Sequence, residues 1–281
     1  MESRAGGDAS RDRVMLWEVG GGILTGLALS LTGGGGTLLA VPLLIHGVGL
    51  SPATAAAASL AAVGAMAAVG AITRMRRGEA YLGLGLFFAL GGVVGAPLGS
   101  QLHRWLPDPL ITVGFAVLMV IVAGRMWWHG ARPLPAQGTP LPEALHRGRC
   151  TLSPDGRLHL TSRCVPVLTL LGLGTGILSG IFGVGGGFLI VPALMWLSRI
   201  DLRHAVATSL IAVALISAAG VTGALLTPTA FPTTIAALFA GGGLLGMYLG
   251  SHLGQRLPPV LLSRVFALVL VAVAVFVAIR S

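Results

Sequence analysis

The residues that could do chemistry in this chain are glycines and hydroxyls set inside apolar sequence. One cluster, Gly33-Gly34-Gly35-Gly36, precedes Thr37, and a second, Gly183-x-Gly185-Gly186-Gly187, lies 150 residues later. A glycine run interrupts a helix and leaves backbone N–H groups without helical partners. A helix that starts after each run would present those N–H groups and its positive dipole end, which suit an anion. The sequence therefore predicts two anion-binding helix breaks.

Flanking residues extend this predicted site. Hydroxyl groups on neighbouring segments could complete an anion site, and a proline after each cluster is expected to kink or break the helix. The predicted substrate pathway comprises Gly33, Gly35, Gly36, Thr37, Ser59, Gly183, Gly185, Gly186, Gly187, Thr208 and Ser209, with helix breaks at Pro42 and Pro192. The spaced glycines of Gly91-x-x-x-Gly95-x-x-x-Gly99 and Gly242-x-x-x-Gly246-x-x-x-Gly250 are instead predicted to let helices pack closely.

The residues that are absent narrow the chemistry further. All nine acidic residues lie in tails or loops, apart from Glu18 at the start of a span, so no intramembrane carboxylate is expected to hold a cation or relay a proton. The sequence has no Cys/His metal spacing and no lysine for a phosphate-binding loop, so neither a metal nor a cofactor is predicted. An enzymatic alternative pairs Ser179 with His252, but the place of Ser179 within the repeated break favours packing.

The composition places these motifs in a lipid bilayer. Of the 281 residues, 54% are hydrophobic and 10% are charged, whereas soluble domains carry about 25% charged residues. The formal charge of +9 comes from 18 basic residues that are all arginine and lie mostly between apolar runs. Loop arginines that orient a membrane protein explain this charge, so nucleic-acid binding is not predicted.

Apolar segments of about 20 residues define the predicted spans. They predict an all-α membrane protein with eight transmembrane helices in two internal repeats of four, the first helix of each repeat being broken at its glycine cluster. Shifted by 150 residues, Ala55-x-Ala57-Ala58-Ser59-Leu60 falls on Ala205-x-Ala207-Thr208-Ser209-Leu210. The predicted divisions are a polar N-terminal tail (1–13), a first repeat (14–128), a polar connecting loop with a small β-hairpin (129–164) and a second repeat (165–281).

Two topologies fit this pattern. The repeats are parallel if each broken segment crosses the membrane, and inverted if each segment reverses at its glycines and returns. In both cases 13 of the 18 arginines share one side with the connecting loop, which the positive-inside rule assigns to the cytoplasm. Repeats with glycine-interrupted helices at matching positions indicate a secondary transporter whose site lies between the repeats near the midplane.

These motifs resemble those of the sulfite exporter TauE/SafE family of probable membrane transporters. The resemblance covers about residues 16–279 and rests on Gly33-x-Gly35-Gly36-x-Leu38-x-x-x-Pro42, Gly183-x-Gly185-Gly186-Gly187-x-x-x-x-Pro192, Ala207-Thr208-Ser209-Leu210, and Gly95-Ala96-Pro97-Leu98-Gly99 before Leu106-Pro107. It implies a multi-pass transporter of the inner (plasma) membrane, with members linked to sulfite, sulfoacetate and other small anions. The two half-sites differ here, because Ala58 stands where the second repeat has Thr208, and Thr37 where it has Gly187.

Together the motifs predict a secondary transporter of small anions, such as sulfite or organosulfonates, across the cytoplasmic membrane. A small anion is the expected substrate, the bilayer is the expected surrounding, and a proton or another ion is a possible coupling partner. A passive anion channel is the nearest alternative, and an intramembrane enzyme is the more distant one.

Overall fold

The computed structural model describes residues 2–103, 105–129, 151–152, 158–159, 164–182, 187–198, 200, 202–225, 233–256, 260–261, 264–265, 267–268, 271–272 and 275. The helices are α1 (Glu2–Thr32), α2 (Gly36–Val48), α3 (Pro52–Arg76), α4 (Leu82–His103), α5 (Asp108–His129), α6 (Cys164–Phe182), α7 (Gly187–Ser198), α8 (Leu202–Leu225) and α9 (Thr233–Arg256). The described residues between 260 and 275 are also helical.

The polar segments at the start and centre of the chain carry some regular structure. In the connecting loop, β1 (Thr151–Leu152) pairs antiparallel with β2 (Leu158–His159), while the predicted turn between them lies outside the described residues. The predicted polar N-terminal tail is helical from Glu2 onward, because α1 already begins there. Helical hydrogen bonds are local, and alanine and arginine favour helix, so a polar segment can continue an apolar helix.

Five described helices are long and apolar enough to cross a membrane by length and composition. These segments are Thr54–Arg76, Leu82–His103, Val165–Phe182, Leu202–Thr222 and Thr233–Gly254, and shorter apolar segments are Leu16–Thr32, Gly36–Ile45 and Val113–Gly124. The two segments predicted to be broken are each divided between two helices, α1 with α2 and α6 with α7.

The first broken segment reverses direction at its glycines. A Cβ atom at Gly21 of α1 would lie 3.7 Å from Leu43 of α2. Nearer the start of α1, the Trp17 ring packs on Gly47, where a Cβ would lie 3.3 Å away. Residue numbers therefore fall along α1 as they rise along α2. The two helices form an antiparallel hairpin, and the segment does not continue straight across.

The helices α3 and α8 are antiparallel and pack through reciprocal contacts. Leu60 of α3 contacts Gly220 of α8, and Leu210 of α8 contacts Gly70 of α3. In both contacts, a Cβ at the glycine would lie 3.1 Å from a leucine methyl group. Adding 150 to the α3 residue of either pair gives the α8 residue of the other pair. The two halves of the chain thus meet through equivalent surfaces.

The helix α4 runs parallel to both α6 and α8. The contacts that show this are Phe88 with Gly172 and Ala96 with Gly180 for α6, and Gly85 with Ile211 and Gly92 with Ile216 for α8. Residue numbers rise together along each of these pairs. The helices α6 and α8 consequently point in the same direction.

The second broken segment reverses as well. Gly187, at the start of α7, packs beside Val213 of α8. One turn further along α7, Val191 contacts Gly33, which also contacts Val206 near the start of α8. The helix α7 therefore runs antiparallel to α8, and hence antiparallel to α6. Both broken segments are helical hairpins, although residues 183–186 of the second lie outside the described part of the chain.

The spaced glycines bring pairs of helices into backbone contact. Gly91, Gly95 and Gly99 of α4 face backbone atoms of α6, and Gly242, Gly246 and Gly250 of α9 face α1. This arrangement confirms the prediction that these glycines serve packing, because a side chain at any of them would overlap the neighbouring helix. Each hairpin is thereby held against a helix from the opposite half of the chain.

We expect Gly246→Leu to destabilise the protein, because an added side chain would meet the Ile23 carbonyl of α1. Overpacking of this kind costs about 1–3 kcal/mol. Gly241→Leu is the matched control on the same helix, since an added Cβ there meets nothing within 4 Å. Thermal unfolding in detergent should show a lower Tm for Gly246→Leu alone, and equal Tm values for both variants would contradict this packing.

Candidate functional site

The tip of the first hairpin is built from glycine backbone and two threonine hydroxyls. Gly33 has φ +73°, a conformation that glycine adopts without strain, and its N–H closes the last turn of α1 on the Leu29 carbonyl at 2.8 Å. The Gly35 N–H donates to Thr32 Oγ1 at 2.8 Å, and the Thr32 hydroxyl donates to the Ala28 carbonyl at 2.6 Å. The Thr32 side chain thus accepts a hydrogen bond from a backbone N–H that lies beyond the end of α1.

The first turn of α2 satisfies further groups of this tip. The Thr37 hydroxyl and N–H both donate to the Gly34 carbonyl, at 2.7 and 3.2 Å, and the Leu38 N–H donates to the Gly35 carbonyl at 3.2 Å. The Gly34 and Gly36 N–H groups donate no hydrogen bond to any residue that the structure describes. Both glycines are buried. The expectation of unpaired amides therefore applies to two of the tip residues, while the others are bonded within the protein.

The second glycine cluster packs against the first through its last member. A Cβ atom at Gly187 would lie 3.0 Å from the Gly34 Cα and 3.2 Å from its carbonyl oxygen. The same position would be 3.0 Å from Val213, which lies near the middle of α8. The start of α7 thus meets the tip of the first hairpin deep within the helix bundle. The other predicted members of this cluster, Gly183, Gly185 and Gly186, lie outside the described residues.

Ser209 joins α8 to the first tip. Its buried hydroxyl lies 2.8 Å from the Gly33 carbonyl and 2.9 Å from the Val206 carbonyl of its own helix. The equivalent residue in the first half, Ser59, is also buried, and its hydroxyl donates to the Ala56 carbonyl at 2.9 Å. Ser209 is therefore placed at the tip with Gly33, whereas the described contact of Ser59 stays within α3.

Thr208 contacts the start of α4. Its buried hydroxyl accepts a hydrogen bond from the Tyr81 N–H at 3.1 Å, and the Tyr81 ring stacks on His204 with ring centres 5.4 Å apart. These contacts fasten the start of α4 to α8. Thr208 is directed to this junction because α4 runs alongside α8, a neighbour that a linear sequence does not reveal.

The prolines do not form the breaks. Pro42 lies inside α2 and Pro192 inside α7, and both helices continue through them. The chain turns at Gly33, which has the left-handed conformation. Proline cannot adopt this conformation, because its φ is fixed near −65°. Neither proline therefore ends its helix, and the first reversal lies at Gly33, before α2 begins.

One acidic residue that the sequence places at a span end is buried within the bundle. Glu18 is 4% exposed on α1, and Thr25 and Thr32, each seven residues further on, are buried on the same helical face. The Thr25 hydroxyl has no partner among the described residues. Glu18 lies near the start of the apolar segment Leu16–Thr32, as the sequence predicts, but its side chain is buried. The position equivalent to Glu18 in the second half is the buried Leu168.

Arg74 is a second residue that sequence reasoning missed. It was expected to be a loop arginine that orients the protein, yet its side chain is only 15% exposed. Its Nη2 donates to the Ser30 carbonyl at 3.0 Å, in the last turn of α1 before Gly33. The signal available in the sequence was weak, because the contact joins residues 44 positions apart.

The residues proposed for an enzymatic site lie in separate helix pairs. Ser179 is buried on α6, which packs against α4. His252 is exposed on α9, which packs against α1, and its ring lies 4.9 Å from the Tyr248 ring. Among the residues that the structure describes, no group of three or more His, Cys, Asp or Glu side chains could hold a metal ion.

We expect Gly33→Ala to destabilise the first tip for two reasons. A left-handed conformation costs a residue other than glycine about 1–2 kcal/mol, and the new methyl group would also overlap Ser209 and Val206. Gly49→Ala is the control for the first cost alone, because Gly49 has φ +77° and nothing lies within 4 Å of its added Cβ. Tm values in detergent should fall further for Gly33→Ala, and an equal loss in the two variants would show that the tip is not tightly packed.

Comparison of sequences relates this chain to known proteins. The family model described as sulfite exporter TauE/SafE matches residues 19–277. A probable membrane transporter protein of Xylella fastidiosa (strain 9a5c) is 36% identical over 273 residues, which cover 94% of each chain. The probable membrane transporter protein YunE of Bacillus subtilis (strain 168) is 26% identical over 208 residues, covering 71% of this chain and 74% of YunE.

A more distant relative is the probable membrane transporter protein MamO of Magnetospirillum gryphiswaldense, 26% identical over 204 residues, which cover 66% of this chain and 32% of MamO. No solved structure matches this chain. The family match spans α1 from Val19 through the hairpins and on into the helical residues near the C-terminus. The chain therefore belongs to the sulfite exporter TauE/SafE family, and is a membrane transporter by that membership.

Proposed function

We propose that the protein is a secondary transporter that moves small anions across the cytoplasmic membrane between two inverted repeats. The proposal of two four-segment repeats is supported by the exchange of contacts between the halves. Each hairpin, α1 with α2 or α6 with α7, packs against the opposite half, on α9 or α4 respectively. Helices α3 and α8 meet antiparallel, as they must if a two-fold axis in the membrane plane relates the repeats.

The observation that carries the proposal is the pair of buried amides at the first tip. The Gly34 and Gly36 N–H groups have no described partner and lie where the second cluster packs against the first. Unpaired N–H groups are costly away from water, so a ligand that accepts hydrogen bonds is favoured there. The start of α2 adds the positive end of a helix dipole, which favours an anionic ligand.

Small oxyanions fit this chemistry better than bulky or cationic solutes. The tip offers backbone N–H donors, and the Thr37 and Ser209 hydroxyls are already bonded to neighbouring carbonyls. Gly187 packs closely on Gly34, so a bulky group would not fit between them. The name of the family suggests sulfite as the substrate to examine, and organosulfonates present a similar cluster of oxygen acceptors.

Transport assays in liposomes test this function directly. Uptake of sulfite, sulfate, sulfoacetate, taurine and small carboxylates should be measured with purified protein, with and without a proton gradient. We expect saturable uptake of sulfite or an organosulfonate and its accumulation against its own gradient. Dissipative flux that never exceeds equilibrium would instead identify a passive anion channel. The enzymatic alternative predicts that Ser179→Ala abolishes activity, whereas a transporter should retain uptake in that variant.

Glu18 is our candidate for binding a coupling proton. Carboxylates buried among membrane helices characteristically bind protons or pair with cations, and Glu18 has no described hydrogen bond or ion pair. Among the neighbouring helices, α2 carries one titratable residue, His46, and α9 carries none from Thr233 to Gly246. The arginines of α3 lie at the C-terminal end of that helix, far from Glu18. A proton exchanged at Glu18 could therefore be linked to movement of the first hairpin.

We expect Glu18→Gln to remove the effect of a proton gradient while leaving the anion site intact. Amide replacement imitates the protonated carboxyl but cannot release a proton. Sulfite uptake under a gradient should fall to the level measured without one, while exchange of internal for external sulfite should continue. Glu18→Leu, which introduces the residue found at the equivalent Leu168, should behave alike. Gradient-driven uptake at the wild-type rate in both variants would exclude Glu18 as the coupling group.

A further inference from the structure

Arg74 is a partly buried cation near the tip of the first hairpin. Its guanidinium donates to the Ser30 carbonyl at 3.0 Å, and its Nη1 lies 3.6 Å from Glu79 Oε2. Glu79 is 25% exposed, and both residues belong to the junction between α3 and α4. Ser30 is one turn before Gly33, so the charge of Arg74 lies close to the glycines that reverse the chain.

Other groups at this junction favour an anion as well. The charges of Arg77 and Arg203 are near enough to act on Arg74, and both of these side chains are exposed. The Ser30 hydroxyl is 3% exposed and has no partner among the described residues. Because α3 and α8 are antiparallel, the end of α3 and the start of α8 lie at the same end of the bundle. This end is the arginine-rich side, assigned to the cytoplasm by the positive-inside rule.

The second hairpin has a comparable contact at its own end. His103, at the end of α4, has Nδ1 2.6 Å from the Ile181 carbonyl in the last turn of α6. Ser30 and Ile181 each precede their glycine cluster by less than a turn. A basic side chain from another helix therefore holds the end of each helix that leads into a tip. Among the described residues, the first tip joins this contact to a counter-ion, since Arg74 also lies beside Glu79.

We propose that Arg74 and Glu79 form a gate at the cytoplasmic end of the pathway, in which the transported anion replaces Glu79 as the partner of Arg74. This inference rests on the proposed transport of anions. The 3.6 Å pair is partly exposed, so its two charges are only loosely held, and surface pairs of this kind contribute little stability. A small oxyanion can accept two parallel hydrogen bonds from a guanidinium, an arrangement stronger than the resident pair.

A purely structural role is the competing explanation. Basic side chains often bond the last carbonyls of a helix, and Arg74 could do so without ever meeting a substrate. The two explanations predict different effects of neutralising Glu79. If Arg74 only caps α1, removing the charge of Glu79 should not improve transport. If Glu79 competes with the anion, its neutralisation should strengthen anion binding.

The test measures the KM for sulfite at each face of the protein in oriented liposomes, using Glu79→Gln, Arg74→Gln and Arg76→Gln. Arg76 is the matched control, because it is exposed on the same helix and its loss removes the same charge from the same end. We expect Glu79→Gln to lower the KM at the arginine-rich face several-fold. Arg74→Gln should raise it about 10- to 100-fold, the range for a lost hydrogen bond to a charged group, and Arg76→Gln should leave it nearly unchanged.

The direction of the Glu79→Gln effect makes the result independent of folding, because a misfolded variant cannot gain affinity. An unchanged or raised KM in Glu79→Gln, or equal effects of Arg74→Gln and Arg76→Gln, would overturn the gate. Arg74→Lys should recover part of the affinity by restoring charge without the planar donor pair. Failure of the wild-type protein to carry any anion would instead contradict the proposed function, so the two failures are distinguishable.

Discussion

Pairing of backbone groups in the turn between α1 and α2 is the constraint on which the rest of this structure depends. A chain that reverses inside a bilayer loses helical hydrogen bonds where water cannot replace them. The first tip recovers most of them locally, through the Thr32 hydroxyl and the first turn of α2, and places the Gly33 carbonyl against Ser209. The Gly34 and Gly36 N–H groups are the two donors of this tip that have no partner among the described residues.

Close packing of glycine on glycine lets each half of the molecule hold the hairpin of the other half in place. The hairpins lie against helices of the opposite half along rows of small residues, where backbones approach within van der Waals contact. Gly26 contacts Gly243 in one row, and its equivalent Gly176 contacts Gly92 in the other. This exchange makes each hairpin depend on the other half for its position. Movement of one half against the other would therefore displace both tips together.

The two halves pack in a nearly symmetrical way but carry different side chains at equivalent positions. Glu18 is matched by Leu168, Thr208 by Ala58, and the Arg74 contact by one from His103. A symmetrical scaffold with equivalent groups at both ends would have no built-in direction. The buried carboxylate of Glu18 in one half, and the partly buried Arg74 with Glu79 at one end, make the two halves chemically unequal. Helix packing therefore sets the framework, and a few side chains make its two halves different.

The sequence by itself determined the helical membrane class, the repeated motifs, the positions of both glycine clusters and the packing role of the spaced glycines, because apolar length and residue spacing are local properties. Only the tertiary structure decided that the broken segments are hairpins, that Ser209 meets Gly33 while Thr208 meets Tyr81, and that Pro42 and Pro192 lie within helices. It also buried Glu18 and turned Arg74 inward. These facts depend on which helices become neighbours and in which direction they run, and one linear pattern of hydrophobicity is compatible with both a crossing and a returning segment.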